Sequence, residues 1–434
     1  MVWQPIPVEA VSKMEYRAIR DPLWKHIYLP EALAQALTTA DFVRLSRIRQ
    51  LGPTELVYPG AVHTRAGHSL GVYEIARRIL QRLEQQGANW ITPSGRISWY
   101  AAALFHDIGH FPYTHSLKEL PLEEHEVLSG RIVLKEDLAL CISKAGGNPD
   151  QVAAIIDTTI PTQDEETLFY RKLLSGVLDP DKLDYLNRDA YYCGVPYGIQ
   201  DTEFTLDQIL PHRQRGIQLD SSAILSVENL LFSKYLMYRS VYWHKQVRIA
   251  TAMMKKALYA ALSKKLVHPE ELYQQDDQGI HQLLQSIATS QGEKVFPEIV
   301  LATDVQECHL YKVAAEIKFD GTNPIHTALE QLETRHEAEE NLAQKLGIPP
   351  QHILIDIPER ISFESDLWIC DEEVPFSQSS TVFSSQTVAS FTGSLRKIRV
   401  AIRQQQRSDF SQEKEGKIIA RFLDMEYNRD SILG

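Results

Sequence analysis

The stretch Leu104-Phe-His-Asp-Ile-Gly-His-Phe-Pro-Tyr-Thr-His115 decides how the rest of the sequence is interpreted. It closes an apolar helical pattern, and Gly109 and Pro112 are residues that end a helix. His106 and Asp107 are adjacent at this helix end, so an imidazole and a carboxylate can point toward the same ion. One such pair is weak support for a metal site, because a histidine beside an apolar helix is more often a hydrogen-bonded core residue.

Two residues elsewhere in the chain complete a candidate metal set. His68 stands at the start of the helical pattern 69–86, and Asp181 lies within Asp179-Pro-Asp-Lys-Leu-Asp-Tyr185. Two imidazoles and two carboxylates form a mixed nitrogen and oxygen set that leaves room for water. The sequence therefore predicts a divalent metal cofactor, for which Mn, Fe, Zn, Ni and Mg are the candidates.

Composition limits the class of protein. The chain has 434 residues, 44% of them hydrophobic, which is enough for one large elaborated domain or for two domains. Its net charge of −12 repels polyanions, so nucleic acid is not an expected ligand, whereas a small phosphate compound needs only a few cations. Four widely spaced cysteines and the lack of a long apolar run favour a cytoplasmic protein without a membrane segment.

Apolar periodicity predicts a mainly α fold in the first two thirds of the chain. The predicted helices cover residues 31–51, 69–86, 97–107, 123–134 and 151–158. Residues 221–266 should form one long helix, or two helices joined by a kink. These segments together predict a helical bundle.

The pattern of apolar and polar residues changes beyond about residue 290. Strands are predicted at residues 295–301, 310–319 and 353–357, a charged helix at 325–346, and a loop or hairpin at 375–394. We therefore expect a helical domain over residues 1–290 and a smaller α+β region over residues 291–434.

The order His68, His106-Asp107, Asp181 resembles the HD superfamily of phosphohydrolases, whose signature is H…HD…D on a helical bundle. Four runs within residues 21–250 are similar to its deoxynucleoside triphosphate (dNTP) triphosphohydrolase branch, which includes bacterial HD dNTPases and the vertebrate sterile-alpha-motif/HD-domain dNTPase. The runs are Gln50-Leu-Gly, Tyr58-Pro-Gly-Ala-Val-His-Thr-Arg-Ala-Gly-His-Ser-Leu-Gly-Val72, His106-Asp-Ile-Gly-His-Phe-Pro-Tyr-Thr-His115 and Asp181-Lys-Leu-Asp-Tyr-Leu-Asn-Arg-Asp189. The resemblance implies that residues 1–290 form an HD phosphohydrolase domain and that the C-terminal region assists oligomerisation.

The resemblance implies roles around the metal. The four candidates would be its ligands, and the ion would polarise a phosphate oxygen and lower the pKa of a bound water. The implied catalytic residues are His110, His115, His125 and Glu126. We expect His115 against the α-phosphate and His125 as its acid or base partner, with a surface position for His125 as the alternative. The chain departs from the family in carrying Lys118 and Glu119 where an aspartate often follows His115.

Substrate contacts follow from the same resemblance. Arg65, Lys182 and Tyr185 match positions that hold the triphosphate, Gln50 and Asp189 match the pair that binds the 3′-hydroxyl, and Leu51 and Tyr242 match the contacts that exclude a 2′-hydroxyl. Without the resemblance, Arg65 and Lys182 would be surface cations, and Leu51 and Tyr242 would be core residues. Trp243 replaces a glutamine of the relatives, so base contacts are expected to differ.

The helix before Gln50 bears on activation. The vertebrate relative reads guanine there with an acid, a glutamine and an arginine. The positions that match these three residues carry Thr38, Val43 and Ser46. This difference predicts that GTP is not required as an activator. The neighbouring Asp41, Arg44 and Arg47 are expected on a solvated helix face.

The function predicted from the sequence is hydrolysis of dNTPs to the deoxynucleoside and inorganic triphosphate by a homo-oligomer, either a dimer or a tetramer. Two alternatives remain open. The chain could be an HD phosphatase that removes phosphates singly from nucleotides or hydrolyses alarmones. It could also be a nucleotide sensor or nucleic-acid-binding regulator with weak catalysis.

Overall fold

A computed structural model of the protein describes residues 15–361 and 367–403, together with residues 418, 419 and 422. Most of the described chain is helical, which confirms the mainly α fold class. The helices are α1 (Glu31–Ala36), α2 (Ala40–Leu45), α3 (Arg65–Gln85), α4 (Pro93–Phe105), α5 (His125–Val133), α6 (Glu136–Ala145), α7 (Pro149–Ile156), α8 (Glu165–Leu174), α9 (Pro180–Cys193), α10 (Thr202–Asp207), α11 (Ile224–Met237), α12 (Lys245–Ser263), α13 (Pro269–Tyr273), α14 (Asp277–Gln291), α15 (Ile299–Gln306), α16 (Pro324–Ala328), α17 (Leu332–Leu346) and α18 (Ser385–Leu395).

The strands form three small sheets. They are β1 (Tyr16–Asp21), β2 (Lys25–Pro30), β3 (Ile209–His212), β4 (Gly216–Leu219), β5 (Lys312–Lys318), β6 (Ile353–Asp356), β7 (Trp368–Ile369), β8 (Val374–Pro375) and β9 (Lys397–Ile402). The first sheet is the hairpin β1-β2, the second has the order β3-β4-β7-β8, and the third has the order β5-β9-β6. The β4–β7 pair is parallel and joins Leu219 to Ile369, so residues from the C-terminal region complete a sheet begun before α11.

Three helices that carry candidate site residues begin at well-formed caps. The side chain of Thr64 accepts from the backbone N–H of Gly67 at the start of α3, and Asp179 accepts from the N–H of Lys182 at the start of α9. Thr92 caps α4 in the same way, and α4 and α9 both have proline at their first position. Because α3 packs against both α4 and α9, their functional ends meet in space.

Buried apolar side chains form three clusters. The first lies among α1–α11 and also contains Ile369, Phe376 and Phe383 from the C-terminal region. The second joins α12, α14 and α15 to the segment that follows His106, through residues such as Phe111 and Leu117. The third lies between α17 and the sheet β5-β9-β6.

The long apolar pattern at 221–266 forms two helices, one of the two predicted outcomes. A π-helical turn, Tyr238–Tyr242, joins α11 to α12 and presents Tyr242 at the junction. Such turns are rare in proteins, and those that occur are often found at functional sites.

Two predicted helices are each broken in two. Residues 31–51 form α1 and α2, because the hydroxyls of Thr38 and Thr39 bond to the backbone carbonyls of Gln35 and Ala36, and Thr39 then caps α2. Residues 325–346 lie in α16 and α17, which the short segment 329–331 separates.

Two predictions for the C-terminal region are wrong. A strand is predicted at residues 295–301, but the helix α15 begins at Ile299, shortly after Pro297. The prediction fails because a short apolar run does not distinguish a strand from a buried helix. The loop predicted at 375–394 contains α18, which Ser384 caps and whose Phe391 stacks on Tyr235 with ring centroids 4.5 Å apart. The strands predicted around 310–319 and 353–357 are confirmed as β5 and β6.

Among the described residues, no helix combines the length and apolarity that crossing a membrane requires. A domain boundary near residue 290 stays a prediction.

Candidate metal centre and surrounding pocket

The four candidate ligands come from three helix ends. His68 lies in the first turn of α3, His106 caps the C-terminus of α4 with Asp107 directly after it, and Asp181 lies in the first turn of α9. His68 and Asp107 are buried, whereas the side chain of Asp181 is 38% exposed. The structure therefore brings the four residues together, with Asp181 on the open side.

Distances within this cluster suit ligands that share one ion. His68 Nε2 lies 2.9 Å from Asp181 Oδ1 and 3.9 Å from Asp107 Oδ2, and His106 Nε2 lies 3.3 Å from Asp107 Oδ1 and 3.8 Å from Asp181 Oδ1. Metal–ligand bonds of about 2.1 Å place neighbouring ligand atoms about 3 to 4 Å apart. Both Nε2 atoms are buried, and although the carboxylates lie close, neither nitrogen makes a hydrogen bond of good geometry within the described structure. Nitrogens and carboxylates that crowd together in this way fit a divalent metal ion.

The electrostatics of the cluster also favour a cation. Burial by itself lowers the pKa of His68, but the carboxylates of Asp181 and Asp184 outweigh it and raise the pKa to about 10. Burial likewise opposes protonation of His106, while Asp107 and Asp181 raise its pKa above the ordinary value. Carboxylates that stabilise an imidazolium would stabilise a bound metal ion in the same place.

Asp184 and Gly71 support the cluster, and the sequence analysis assigned neither of them a role. Asp184 Oδ2 lies 2.8 Å from His68 Nδ1, and the same carboxylate accepts two bonds from Arg188, at 2.7 and 2.9 Å. A carboxylate behind a metal-binding histidine fixes the orientation of its ring. A Cβ at position 71 would lie 1.9 Å from Asp184 Oδ1, so this position of α3 requires glycine. The available signal was the repeat of aspartate three residues after Asp181.

Three histidines lie beside the metal cluster. His110 Nε2 is 3.1 Å from His115 Nε2, and the ring centroid of His125 is 3.8 Å from that of His110 and 5.4 Å from that of His115. His110 and His125 are buried, and this burial, together with neighbouring cationic groups, holds their pKa values well below the ordinary histidine value. Both are therefore neutral at pH 7. The alternative position of His125 on the surface is not what the structure shows.

Of the acidic residues near the histidines, Glu126 lies beside the histidine group, whereas Glu119 points away from it. Glu126 Oε2 lies 3.1 Å from His125 Nδ1, and burial raises the pKa of Glu126. Glu119 instead contacts Lys255 and Arg335, on the other side of the turn. Lys118 lies 3.8 Å from Glu124.

Arg65 and Lys182, the two candidate triphosphate cations, have different partners. Arg65 is buried, and its Nη1 donates to Asp107 Oδ2 at 2.7 Å, directly beside the metal cluster. Lys182 Nζ donates to Asp179 Oδ2 at 2.6 Å and to the carbonyl of Gly176 at 3.0 Å. Arg65 thus adjoins the metal cluster, whereas the lysine ammonium is directed to the cap of α9.

The candidate sugar pocket is built around Asp189. Asp189 Oδ2 accepts from the hydroxyl of Tyr242 at 2.7 Å, and its Oδ1 lies 2.8 Å from Nε2 of the buried His63. The backbone N–H of Gln50 donates to the carbonyl of His63, and Gln50 Oε1 is buried without a hydrogen-bond partner in the described structure. His63 therefore joins the Gln50 segment to Asp189, a role the sequence analysis did not foresee although the residue lies in a quoted motif.

Apolar and aromatic side chains lie beside the candidate sugar pocket. Leu51, Tyr185 and Tyr242 are partly buried against the first apolar cluster, and the rings of Tyr185 and Tyr242 lie 6.4 Å apart. Trp243 is buried in the same cluster, where its ring meets that of Tyr238 edge to face.

The loop after His106 is held by two residues outside the candidate set. Arg44 donates to the carbonyls of Ile108 and His110, at 2.8 and 2.5 Å, so the prediction that it lies on a solvated helix face is wrong. Ser129 accepts from the N–H of Gly109 and donates to the carbonyl of His106. The local backbone pattern gave no signal for either long-range contact.

Comparison with known families agrees with this geometry. Residues 65–158 match the HD domain family and residues 208–390 match the HD associated region. The uncharacterized protein YwfO of Bacillus subtilis is 37% identical over 59% of this chain and 58% of its own length. The deoxynucleoside triphosphate triphosphohydrolase SAMHD1 homolog of Dictyostelium discoideum is 25% identical over 70% of this chain and 61% of its own length. The chain thus spans about three fifths of the length of these curated relatives.

Solved structures share the fold. A hypothetical protein from Aquifex aeolicus has a TM-score of 0.69 at 24% identity, covering 93% of this chain and 100% of its own. A phosphohydrolase (BT4208) from Bacteroides thetaiotaomicron has a TM-score of 0.66 at 23% identity, covering 90% of this chain and 100% of its own. With the family matches and the H…HD…D cluster, the chain is an HD-domain phosphohydrolase, and its relatives include the SAMHD1 dNTP triphosphohydrolases.

Proposed function

We propose that the protein hydrolyses dNTPs to the deoxynucleoside and inorganic triphosphate, with a divalent metal ion held by His68, His106, Asp107 and Asp181. The observation that carries the proposal is the position of Asp107. One of its oxygens faces Arg65 at 2.7 Å and the other lies 3.7 Å from His110 Nδ1, so a phosphate at this carboxylate meets metal ligands, a cation and the histidine group together.

In the proposed reaction, the oxygen of a water molecule bonds to the α-phosphorus, and the bond from phosphorus to the 5′ oxygen of the sugar breaks. One water proton ends on that 5′ oxygen, so the products are the deoxynucleoside and triphosphate. A divalent ion would supply positive charge beside the phosphoryl oxygens. The chain supplies groups for the proton transfer: burial keeps His110 and His125 neutral, so each ring offers one unprotonated nitrogen near the reacting atoms.

The residues around the substrate then have distinct tasks. Arg65 binds phosphate oxygens, while Lys182 and Tyr185 border the same side of the pocket. Glu126 orients His125, and His115 contacts the α-phosphate from the exposed side of the histidine group. Gln50 Oε1 accepts a hydrogen bond from the 3′-hydroxyl opposite Asp189, which satisfies the buried amide oxygen.

Product analysis tests the proposal. The metal-loaded protein, incubated with each dNTP and ribonucleoside triphosphate, is expected to release inorganic triphosphate from dNTPs, measured by ion-exchange chromatography. Release of orthophosphate one group at a time, or of pyrophosphate, would instead support the phosphatase or alarmone alternatives. An absence of any product with every metal would favour a nucleotide sensor.

Truncation of Leu51 should relax the choice of sugar. We expect Leu51→Ala to lower the dNTP-to-ribonucleotide ratio of kcat/KM by about tenfold, or roughly 1.4 kcal/mol, because space opens beside the 2′ position. Leu56→Ala is the matched control, since this partly buried leucine lies on the same segment and leaves a similar cavity. Equal ratios in the two variants would remove Leu51 from the sugar pocket, as would a wild-type protein that cleaves ATP as well as dATP.

We also propose a homo-oligomer, either a dimer or a tetramer. Exposed apolar side chains near α11, such as Ile199, Leu225 and Phe232, support association. Light scattering of the purified protein measures the assembly.

A further inference from the structure

The turn that carries His115 is tied to two distant helices. His115 lies in the 3-10 turn Thr114–Leu117, and Glu119 follows two residues later. Glu119 Oε2 lies 2.5 Å from Lys255 Nζ on α12, and its Oε1 accepts from Arg335 Nη2 on α17 at 2.7 Å. One carboxylate therefore connects the His115 turn to a helix on each side of residue 290.

Burial makes this network depend on Glu119. The side chains of Lys255 and Arg335 are only 9% and 3% exposed, so their charges are largely withdrawn from water. Burial alone would raise the pKa of Glu119, but the two cations outweigh it and lower the pKa, which keeps the carboxylate ionised. Removing its charge leaves two neighbouring buried cations without their common partner.

The backbone of the turn needs external support. Tyr113 begins it with a φ of +65°, a left-handed conformation that costs energy in a residue other than glycine. Leu117 and Leu120 hold the turn by packing into the second apolar cluster with Met253 of α12. The turn is therefore held both by apolar packing and by the directional bonds of Glu119.

We infer that the network Glu119–Lys255–Arg335 positions His115 for the reaction, and that the C-terminal region contributes to the active site through Arg335. Glu119, the acid of this turn, points toward α12 and α17 and makes its bonds there. The network therefore orients His115 indirectly, in place of a carboxylate bonded to the histidines themselves. The inference rests on the proposed function for its kinetic readout only. Glu119 is a positioning residue and does not contact the substrate.

The test compares Glu119→Gln with Glu316→Gln in the full-length, metal-loaded protein. Glu316 is a matched control, because it also bonds one lysine and one arginine, Lys397 and Arg399, and is similarly exposed. We expect Glu119→Gln to lower kcat for dATP by about tenfold or more, with KM and metal content within about twofold of wild type. Hydrogen exchange by mass spectrometry should be faster in residues 113–120. Glu316→Gln should change neither kcat nor the hydrogen exchange of residues 113–120.

A second variant keeps the inference decidable if Glu119→Gln is unstable. Arg335→Gln leaves Glu119 paired with Lys255, so we expect a smaller change in the same direction in both kcat and exchange. Unaltered exchange over residues 113–120, or a kcat equal to that of the Glu316 control, would overturn the positioning role. If the wild-type protein cleaves no dNTP, the proposed function fails, while the exchange measurement still decides whether the network holds the turn.

Discussion

Replacement of His106 or Asp107 with alanine is expected to remove the bound metal and to lower kcat by about a thousandfold or more, equivalent to roughly 4 kcal/mol. Each residue supplies one of the four proposed ligands, and the carboxylates near His106 Nε2 belong to two other candidate ligands, Asp107 and Asp181. Metal content by inductively coupled plasma mass spectrometry and helical content by circular dichroism separate loss of the site from loss of the fold.

His309→Ala is the control for this experiment. His309 lies in a second group of metal-ligand residue types, with Asp304 and Glu307, but it is exposed. We expect full metal content and activity in this variant. Near-wild-type turnover in His106→Ala or Asp107→Ala would place the catalytic centre elsewhere.

Asp184→Asn is expected to weaken metal affinity by about 10- to 100-fold without removing a ligand. The asparagine can no longer orient His68 through a charged hydrogen bond, and Arg188 loses a buried partner that makes two bonds with it. Arg188 keeps its bond to Asp21, so we expect a loss of unfolding free energy smaller than the roughly 3–5 kcal/mol of a fully unpaired buried charge. Metal titration and urea unfolding of the metal-free protein measure the two effects separately.

Glu74→Gln distinguishes a general loss of stability from a loss at the site. Glu74 is another buried carboxylate of α3, bonded by Arg77 and Arg78, and it lies outside the metal cluster. We expect this variant to lose stability while its metal affinity stays within about threefold of wild type. Equal metal affinities for the Asp184 and Glu74 variants would show that Asp184 has no role in orienting His68.

The candidate ligands could be named from the sequence because their motifs lie at helix ends. His68, His106 and Asp181 each stand within a turn of a cap or a terminating glycine, so local patterns already brought each side chain to a helix terminus. The resemblance to a known family then supplied the register between these distant segments. Helix α3 likewise follows from its capping threonine and its apolar repeat.

Residues that act through long-range contacts could not be predicted. Arg44 sits on a short helix with a polar neighbourhood, yet its guanidinium binds carbonyls more than sixty positions away. His63 was passed over because nothing local shows that its ring meets Asp189. The helix α15 was missed for a different reason, since a short apolar run around Pro297 fits either a strand or a buried helix.

The parallel pairing of β4 with β7 has a consequence for how the chain is made. Ser221 bonds to Asp371 beside this pair, and 150 positions separate the two residues. During synthesis, the helices of the first cluster emerge long before Ile369 and Phe376 can cover them. The edge of β4 and the apolar surface next to it therefore stay open to water and to other nascent chains until β7 has been translated, and we expect aggregation to compete with folding at that stage.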